Sequence, residues 1–269
     1  MTILDTRRLE ELLFEAYSLV HDYNLEPVEA TSIVETPLPP PVRPVDPPPG
    51  DDASFAFSHY GLFFDFLRDN KMLGPKITGT EFRGTDAIIK ACALAKWPMS
   101  YTAYALGTAY HETAHTMLPI QEKGGASYYT RKYDIQGANP KKARELGNLT
   151  PGDGARFCGR GYVQLTGKAN YAKATKKLKA LGINVDLIAN PERAMEPPIA
   201  ALIMVYGMIE GWFTSRKLPD DLPAKGPATL RQFVLSRDII NGTDMDDEIA
   251  AYANDFQTGL QQGGYRIAA

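Results

Sequence analysis

Eight prolines fall within residues 36–50, TPLPPPVRPVDPPPG, and neither a helix nor a paired strand can run through them. Each ring fixes φ at about −65° and removes a backbone donor. Such a stretch favours polyproline II and, at about 3.1 Å per residue, spans roughly 45 Å. The 269-residue chain is therefore expected to divide there. Residues 1–35 would form an N-terminal segment, 36–53 a proline-rich linker, and 54–269 the folded domain. The alternative use of the prolines is as a ligand for an SH3-like partner.

The N-terminal segment carries Leu9, Leu12, Leu13, Ala16, Tyr17 and Val20 at helical spacing. One amphipathic helix cannot bury its own face. It must dock on the domain, pair with a second copy or engage a partner. Arg, Glu and Asp interrupt it too often for a signal peptide, and nowhere does the chain offer about 18 consecutive apolar residues. A protein that starts in a cytoplasm, with no transmembrane segment, is the expectation. The net charge of −3 hides an asymmetry: residues 1–53 hold 3 basic against 11 acidic residues, and residues 121–180 hold 13 against 4. The basic stretch is either an ordinary solvated surface or a flank that attracts an anionic polymer. No RNP, zinc-finger or helix-turn-helix signature accompanies it, so nucleic acid is not the expected partner. Cys92 and Cys158 sit in no CxxC pair and read as reduced core thiols.

Beyond Ser54 the periodicity is helical. Helices are expected over residues 59–70, 85–96, 100–116, 140–146, 168–181, 190–213 with a break near Pro197–Pro198, 227–240 and 246–260. The 190–213 segment, apolar nearly all round, is expected to be the central buried helix. Residues 161–165 give the best strand signal. The fold class is mainly α with a small β-segment.

Two chemistries compete for residues 108–122, TAYHETAHTMLPIQE. His111, Glu112 and His115 satisfy HExxH, in which two imidazoles four apart on a helix share a zinc ion and the Glu polarises water. The extended form of that motif fails, because Leu118 and Gln121 stand at its Gly and His positions, and Glu145 is the only nearby acid for the other form. The second chemistry is glycosidic hydrolysis, which needs a protonated acid beside the leaving oxygen and a second carboxylate. Glu112, at the end of an otherwise apolar helix, would be kept protonated by low-dielectric packing. Glu122, in a loop before Gly124–Gly125, would be solvated and ionised, or merely a surface acid. No complete P-loop, GxSxG or calcium-loop pattern occurs.

AYHETAHTMLPIQE, YYTRKYD, LGNLTPGDGARFCGRGYVQLTGKANY and the later IING resemble the family 19 glycoside hydrolases, which are plant-type chitinases and, more closely, phage endolysins and bacterial lysozyme-like members. The resemblance covers roughly residues 54–269. It implies a lysozyme-like, two-lobed helical domain with a central cleft, an inverting attack on β-1,4-linked N-acetylated sugars, and no metal or other cofactor. Position by position, it makes Glu112 the general acid and Glu122 the second acid, with Thr166 helping to hold the attacking water. It makes Gln164, Asn170 and Asn241 sugar-binding, and places His111 near the acid or substrate while His115 packs or caps the helix. Tyr128, Tyr129 and Tyr133 would either stack on sugar faces, Tyr129 foremost, or belong to the core. Tyr162 stands where chitinases carry Pro. The expected function is that of an endolysin-type hydrolase of peptidoglycan glycan strands. It would be held in the host cytoplasm, released with the help of a holin, and active at the wall in the periplasm. A chitinase acting on chitin oligomers and an HExxH zinc peptidase are the alternatives.

Overall fold

The computed structural model describes residues 53–240, apart from residue 75, and 245–266. The expected N-terminal helix, nearly all of the linker, and Asn241 lie outside the described residues.

Helix boundaries follow local capping chemistry. Helix α1 (Tyr60–Asp69) is followed by α2 (Gly79–Leu94), which begins six residues before the expected start. Thr78 opens α2 with a capping box: its hydroxyl accepts from Glu81 N at 3.2 Å, and the Glu81 carboxylate accepts from Thr78 N at 2.7 Å. Helix α3 (Met99–Glu112) has every residue from Ser100 to Tyr110 buried. Three short helices follow: α4 (Ala126–Tyr133), α5 (Pro140–Glu145) and α6 (Asp153–Arg156). The longer α7 (Lys168–Ala180) precedes a 3-10 turn, Pro191–Met195, and α8 (Pro197–Glu210). The break expected near Pro197–Pro198 divides 190–213 into these two elements, Pro197 taking the first turn of α8. The expected helix over 227–240 is also two, α9 (Leu230–Leu235) and a 3-10 turn, Ser236–Ile239. Helix α10 (Asp246–Gln262) closes the described domain.

The centre is shared rather than given to α8 alone. Helix α3 packs along α10, while α2 packs on α8 and α1 on α10. The α3–α10 contact is backbone to backbone at Gly107, where a Cβ would lie 2.7 Å from Ala253 N, so only glycine allows the approach. One large apolar cluster includes Phe63, Tyr104, Leu106, Tyr162, Met204 and Phe256. A small second cluster of Tyr129, Tyr133 and Cys158 gathers Tyr128, Leu146 and Ala155 around it. Both cysteines are buried free thiols. No described helix is long and apolar enough to cross a membrane.

The β-segment is smaller than expected. Strands β1 (Ile120–Gln121) and β2 (Arg160–Gly161) pair antiparallel, Ile120 with Gly161 and Gln121 with Arg160. The chain does not continue as a strand to residue 165. It turns at once, and Leu165 bonds back to Arg160 through N→O contacts of 2.8 and 3.2 Å. Gln164 sits inside this turn at φ 52°. The fold is mainly helical with one two-stranded sheet among the described residues, as the periodicity implies.

Candidate active site

Glu112 is the last residue of α3, and the helix stops there for local reasons. Thr113 turns its hydroxyl back to Ala109 O at 2.7 Å and accepts from Met117 N at 3.0 Å. Ala114, His115 and Met117 then take φ values of 50°, 69° and 56°. Three non-glycine residues in the left-handed region are costly and persist only where packing over-determines them. Here Thr113 and Met117 are buried, and Tyr162 OH donates to Met117 O at 3.2 Å. The expected helix to residue 116 is therefore wrong by a full turn, and that removes the geometry HExxH needs. His111 remains on the helix, half-buried. His115 leaves it, stacks on Tyr110 at 4.2 Å between ring centroids, and places Nε2 3.3 Å from Tyr252 OH. Among the described residues no cluster of three His, Cys, Asp or Glu side chains is formed that could hold a metal.

The surroundings of Glu112 also differ from the expected apolar packing. Its side chain is 20% exposed, and Oε1 accepts from Arg237 Nη1 at 3.1 Å. Arg237, on the 3-10 turn after α9, is itself only 3% exposed. Sequence reasoning missed this partner. The signal was an arginine inside the apolar run FVLSRDII, since a cation buried in such a run calls for a carboxylate.

Glu122 follows β1, and its backbone N bonds to Gly159 O at 2.9 Å. It is not the solvated loop acid that its glycine-rich surroundings suggest: its side chain is 18% exposed and ion-paired. Oε1 accepts from Lys132 Nζ at 2.7 Å, Tyr133 OH at 2.9 Å and Tyr128 OH at 3.4 Å. Oε2 is buried and has no hydrogen-bond partner. Burial works against the Lys132 ammonium, but its bonds to Glu122, Tyr128 and Tyr133 outweigh that and raise its pKa. Burial, with Glu122 adding to it and Lys132 opposing, pushes the Tyr133 phenol up to about 12. Tyr129, expected to meet substrate, is only 4% exposed and spends its hydroxyl on the carbonyls of Glu122 and Gly124. It holds the Glu122 loop in place rather than offering a sugar a face. All four of these groups come from α4, a polar helix that the periodicity did not reveal.

The third component is the turn after β2. A Cβ built on Gly159 would lie 2.9 Å from Gln164 Oε1, 3.2 Å from Thr166 Oγ1 and 3.3 Å from Glu122 Cβ. These three side chains therefore close on one glycine, and a larger residue would push them apart. Gln164 Nε2 donates to Ile120 O and Gly161 O at 3.1 and 3.2 Å. Thr166 Oγ1 donates to Gln164 O at 2.8 Å, which leaves its lone pairs for an incoming donor. Asn170, in the first turn of α7, braces Thr166 O at 2.8 Å. Arg160, 8% exposed, ties the turn to its neighbours through Gln121 Oε1 at 3.1 Å, Arg156 O at 2.9 Å and Tyr171 OH at 3.0 Å. Tyr162, wholly buried, joins this turn to the one behind Glu112. A separate cavity of about 490 Å³, lined by Ser127, Thr130, Arg131 and Gln136 among others, shares no residue with this constellation.

No family model and no curated protein matches the chain. Among solved structures it is similar to chitinase C from Streptomyces griseus HUT6037, at 21% identity over 78% of each chain with a TM-score of 0.43. A mutant of chitinase C matches at 19% identity with the same coverage and TM-score.

Proposed function

We propose that the chain is an endolysin-type glycoside hydrolase that cleaves β-1,4 bonds of bacterial peptidoglycan with inversion. The observation that carries this reading is the convergence of Glu122, Gln164 and Thr166 on Gly159, where Glu122 Cβ, Gln164 Oε1 and Thr166 Oγ1 all lie within 3.3 Å of one point, the position of a Cβ built on that glycine. In the proposed step Glu112 gives its proton to the glycosidic oxygen as the C–O bond breaks. Glu122 takes a proton from water, whose oxygen bonds to the anomeric carbon from the opposite face. Arg237 keeps the Glu112 carboxyl in position and offsets the negative charge left after donation. An inverting pair works with carboxyl groups about 6.5–9.5 Å apart.

Peptidoglycan is preferred to chitin on two grounds. The motifs around Glu112 and Thr166 are closer to the endolysin members of the family they resemble. The charge excess over residues 121–180 is also real at the surface. Three of its four acids are paired with lysines, Glu122–Lys132, Glu145–Lys142 and Asp153–Lys168, and Asp134 is taken up by backbone amides. Exposed Lys123, Lys141, Arg144 and Lys176 remain to face an anionic wall.

The test is to digest purified peptidoglycan and chitin oligomers and identify the fragments by mass spectrometry and the anomer by NMR. Glycan fragments with an inverted α-anomer are expected, and Glu112→Gln should lower kcat by about 10²–10⁴ with the fold intact. Release of peptides alone, or activity abolished by a zinc chelator, sinks the reading. Cleavage of chitin oligomers but not peptidoglycan moves the assignment to chitinase.

A further inference from the structure

We infer that Tyr104 is a positioning residue for the proposed acid: its hydroxyl holds the turn that carries Arg237, and so fixes where the Arg237 guanidinium meets Glu112. The inference rests on the acid/base reading above and adds what keeps the cation in register with the acid.

Tyr104, Thr108 and Glu112 are spaced four apart on α3 and follow one another along one side of the helix. Tyr104 therefore lies two turns, about 12 Å, before the acid. The first and last of the three reach the same neighbouring segment. Tyr104 OH donates to Ser236 O at 2.7 Å, and Glu112 Oε1 accepts from Arg237 Nη1 at 3.1 Å. The accepting carbonyl belongs to the peptide unit that leads directly into Arg237. Tyr104 and Ser236 are fully buried, so water does not compete for the bond between them. Burial also raises the pKa of the Tyr104 phenol, which keeps it protonated and able to donate.

The turn needs such a hold. Ser236–Ile239 is a single 3-10 turn of four residues, a form with poor internal hydrogen-bond geometry. An arginine stem has several rotatable bonds, so the guanidinium is placed only as well as the backbone beneath it. Tyr104 grips that backbone from the core side. From the exposed side Thr214 Oγ1 bonds the carbonyls of Asp238 and Ile239. One turn before Tyr104, Ser100 Oγ donates to Pro223 O at 2.6 Å. Helix α3 thus meets residues 223–237 at three points in succession, through Ser100, Tyr104 and Glu112, and the last of these contacts is the ion pair.

The experiment measures kcat and KM on peptidoglycan or the chitin oligomer, whichever is cleaved. The proteins are full-length Tyr104→Phe, Arg237→Met, the two combined, Tyr265→Phe and Glu112→Gln, with folding checked by circular dichroism. Tyr104→Phe removes one hydroxyl and keeps the ring. It should lower kcat by about tenfold with KM changed by less than about twofold, because a small displacement at the acid is felt in the transition state. In the Arg237→Met background the same change should cost less than about twofold, since the residue through which Tyr104 acts is gone. Tyr265→Phe removes a similar phenol bond, to Trp97 O at 3.1 Å beside the start of α3, and should leave kcat unchanged. In parallel, the Arg237 Nε–H, followed by NMR, should exchange with solvent about tenfold faster in Tyr104→Phe and no faster in Tyr265→Phe, whether or not a substrate is turned over. Should Tyr104→Phe fail to fold, Thr214→Val, on the exposed side of the turn, should move both readouts the same way. Unchanged kcat in the folded variant overturns the inference, as does an undiminished loss in the Arg237→Met background. Where neither substrate is cleaved, unchanged exchange at Arg237 overturns it. If Glu112→Gln is inactive while Tyr104→Phe keeps the native kcat, only the inference fails. If Glu112→Gln is fully active, the acid/base reading fails with it.

Discussion

Arg237 offers the sharpest test of how the proposed acid is held. Replacing it by Met keeps most of the volume and removes the charge, leaving the Glu112 carboxylate facing a vacated bond of 3.1 Å. Breaking a fully buried ion pair from one side costs about 3–5 kcal/mol. Glu112 is one-fifth exposed, so water partly replaces the guanidinium, and about 2 kcal/mol is the expected loss. For a domain of this size that is a fall in Tm of about 4–8 °C. Arg237 makes further interactions besides this pair, so the single variant overstates the bond. The double-mutant cycle with Glu112→Gln isolates it, with urea unfolding of the four proteins at neutral pH as the assay. A coupling of about 1–2 kcal/mol is expected. If the two single losses simply add, to within about 0.3 kcal/mol, the guanidinium does not hold the acid and the argument for its role fails.

Asp134 is expected to make the domain acid-sensitive. It is buried, and although burial opposes its ionisation, the backbone amides of Gln136, Gly154 and Gly152 outweigh that and lower its pKa. Its contribution is fully present above the ordinary carboxylate range and is lost as pH falls through the lowered folded value. Asp134→Asn should cost about 2 kcal/mol in urea midpoints at pH 7 and lose much of that difference below about pH 3; a pH-independent difference would refute the carboxylate account. Gly159→Ala should lower kcat by about tenfold or more, because Glu122, Gln164 and Thr166 must each yield by tenths of an ångström, while Tm falls by only a few degrees. Unchanged kcat with the fold retained would mean that these side chains do not act together.

Where the sequence is punctuated by proline or glycine, it marks the fold closely. Helix α5 begins at Pro140, and α7 ends just before Gly182, both within a residue of expectation. Helix α2 was legible in principle, since Thr78 and Glu81 spell a capping box, but Gly79 and Gly84 dilute its helical pattern. Helix α4 was not legible. ASYYTRKY lacks a capping side chain and a clean apolar stripe, so its packing against Cys158 and Glu122 decides its state rather than propensity. With that helix unseen, the lysine and tyrosines around Glu122 could not be placed. The HExxH spacing misled for a related reason. Nothing local in ETAHTM announces a left-handed turn; it is imposed by the burial of Thr113 and by Met117 packing against Gly84 of α2 and Tyr162.

The division of the apolar residues into a large cluster and a three-residue satellite has a consequence for heat tolerance. Glu112 grows out of the most thoroughly enclosed helix of the molecule, while Glu122 is anchored through the satellite. Warming should loosen the smaller assembly first, because fewer contacts must be lost to open it. Under the proposed mechanism, activity would then be lost at the Glu122 side first, while the rest of the domain is still folded.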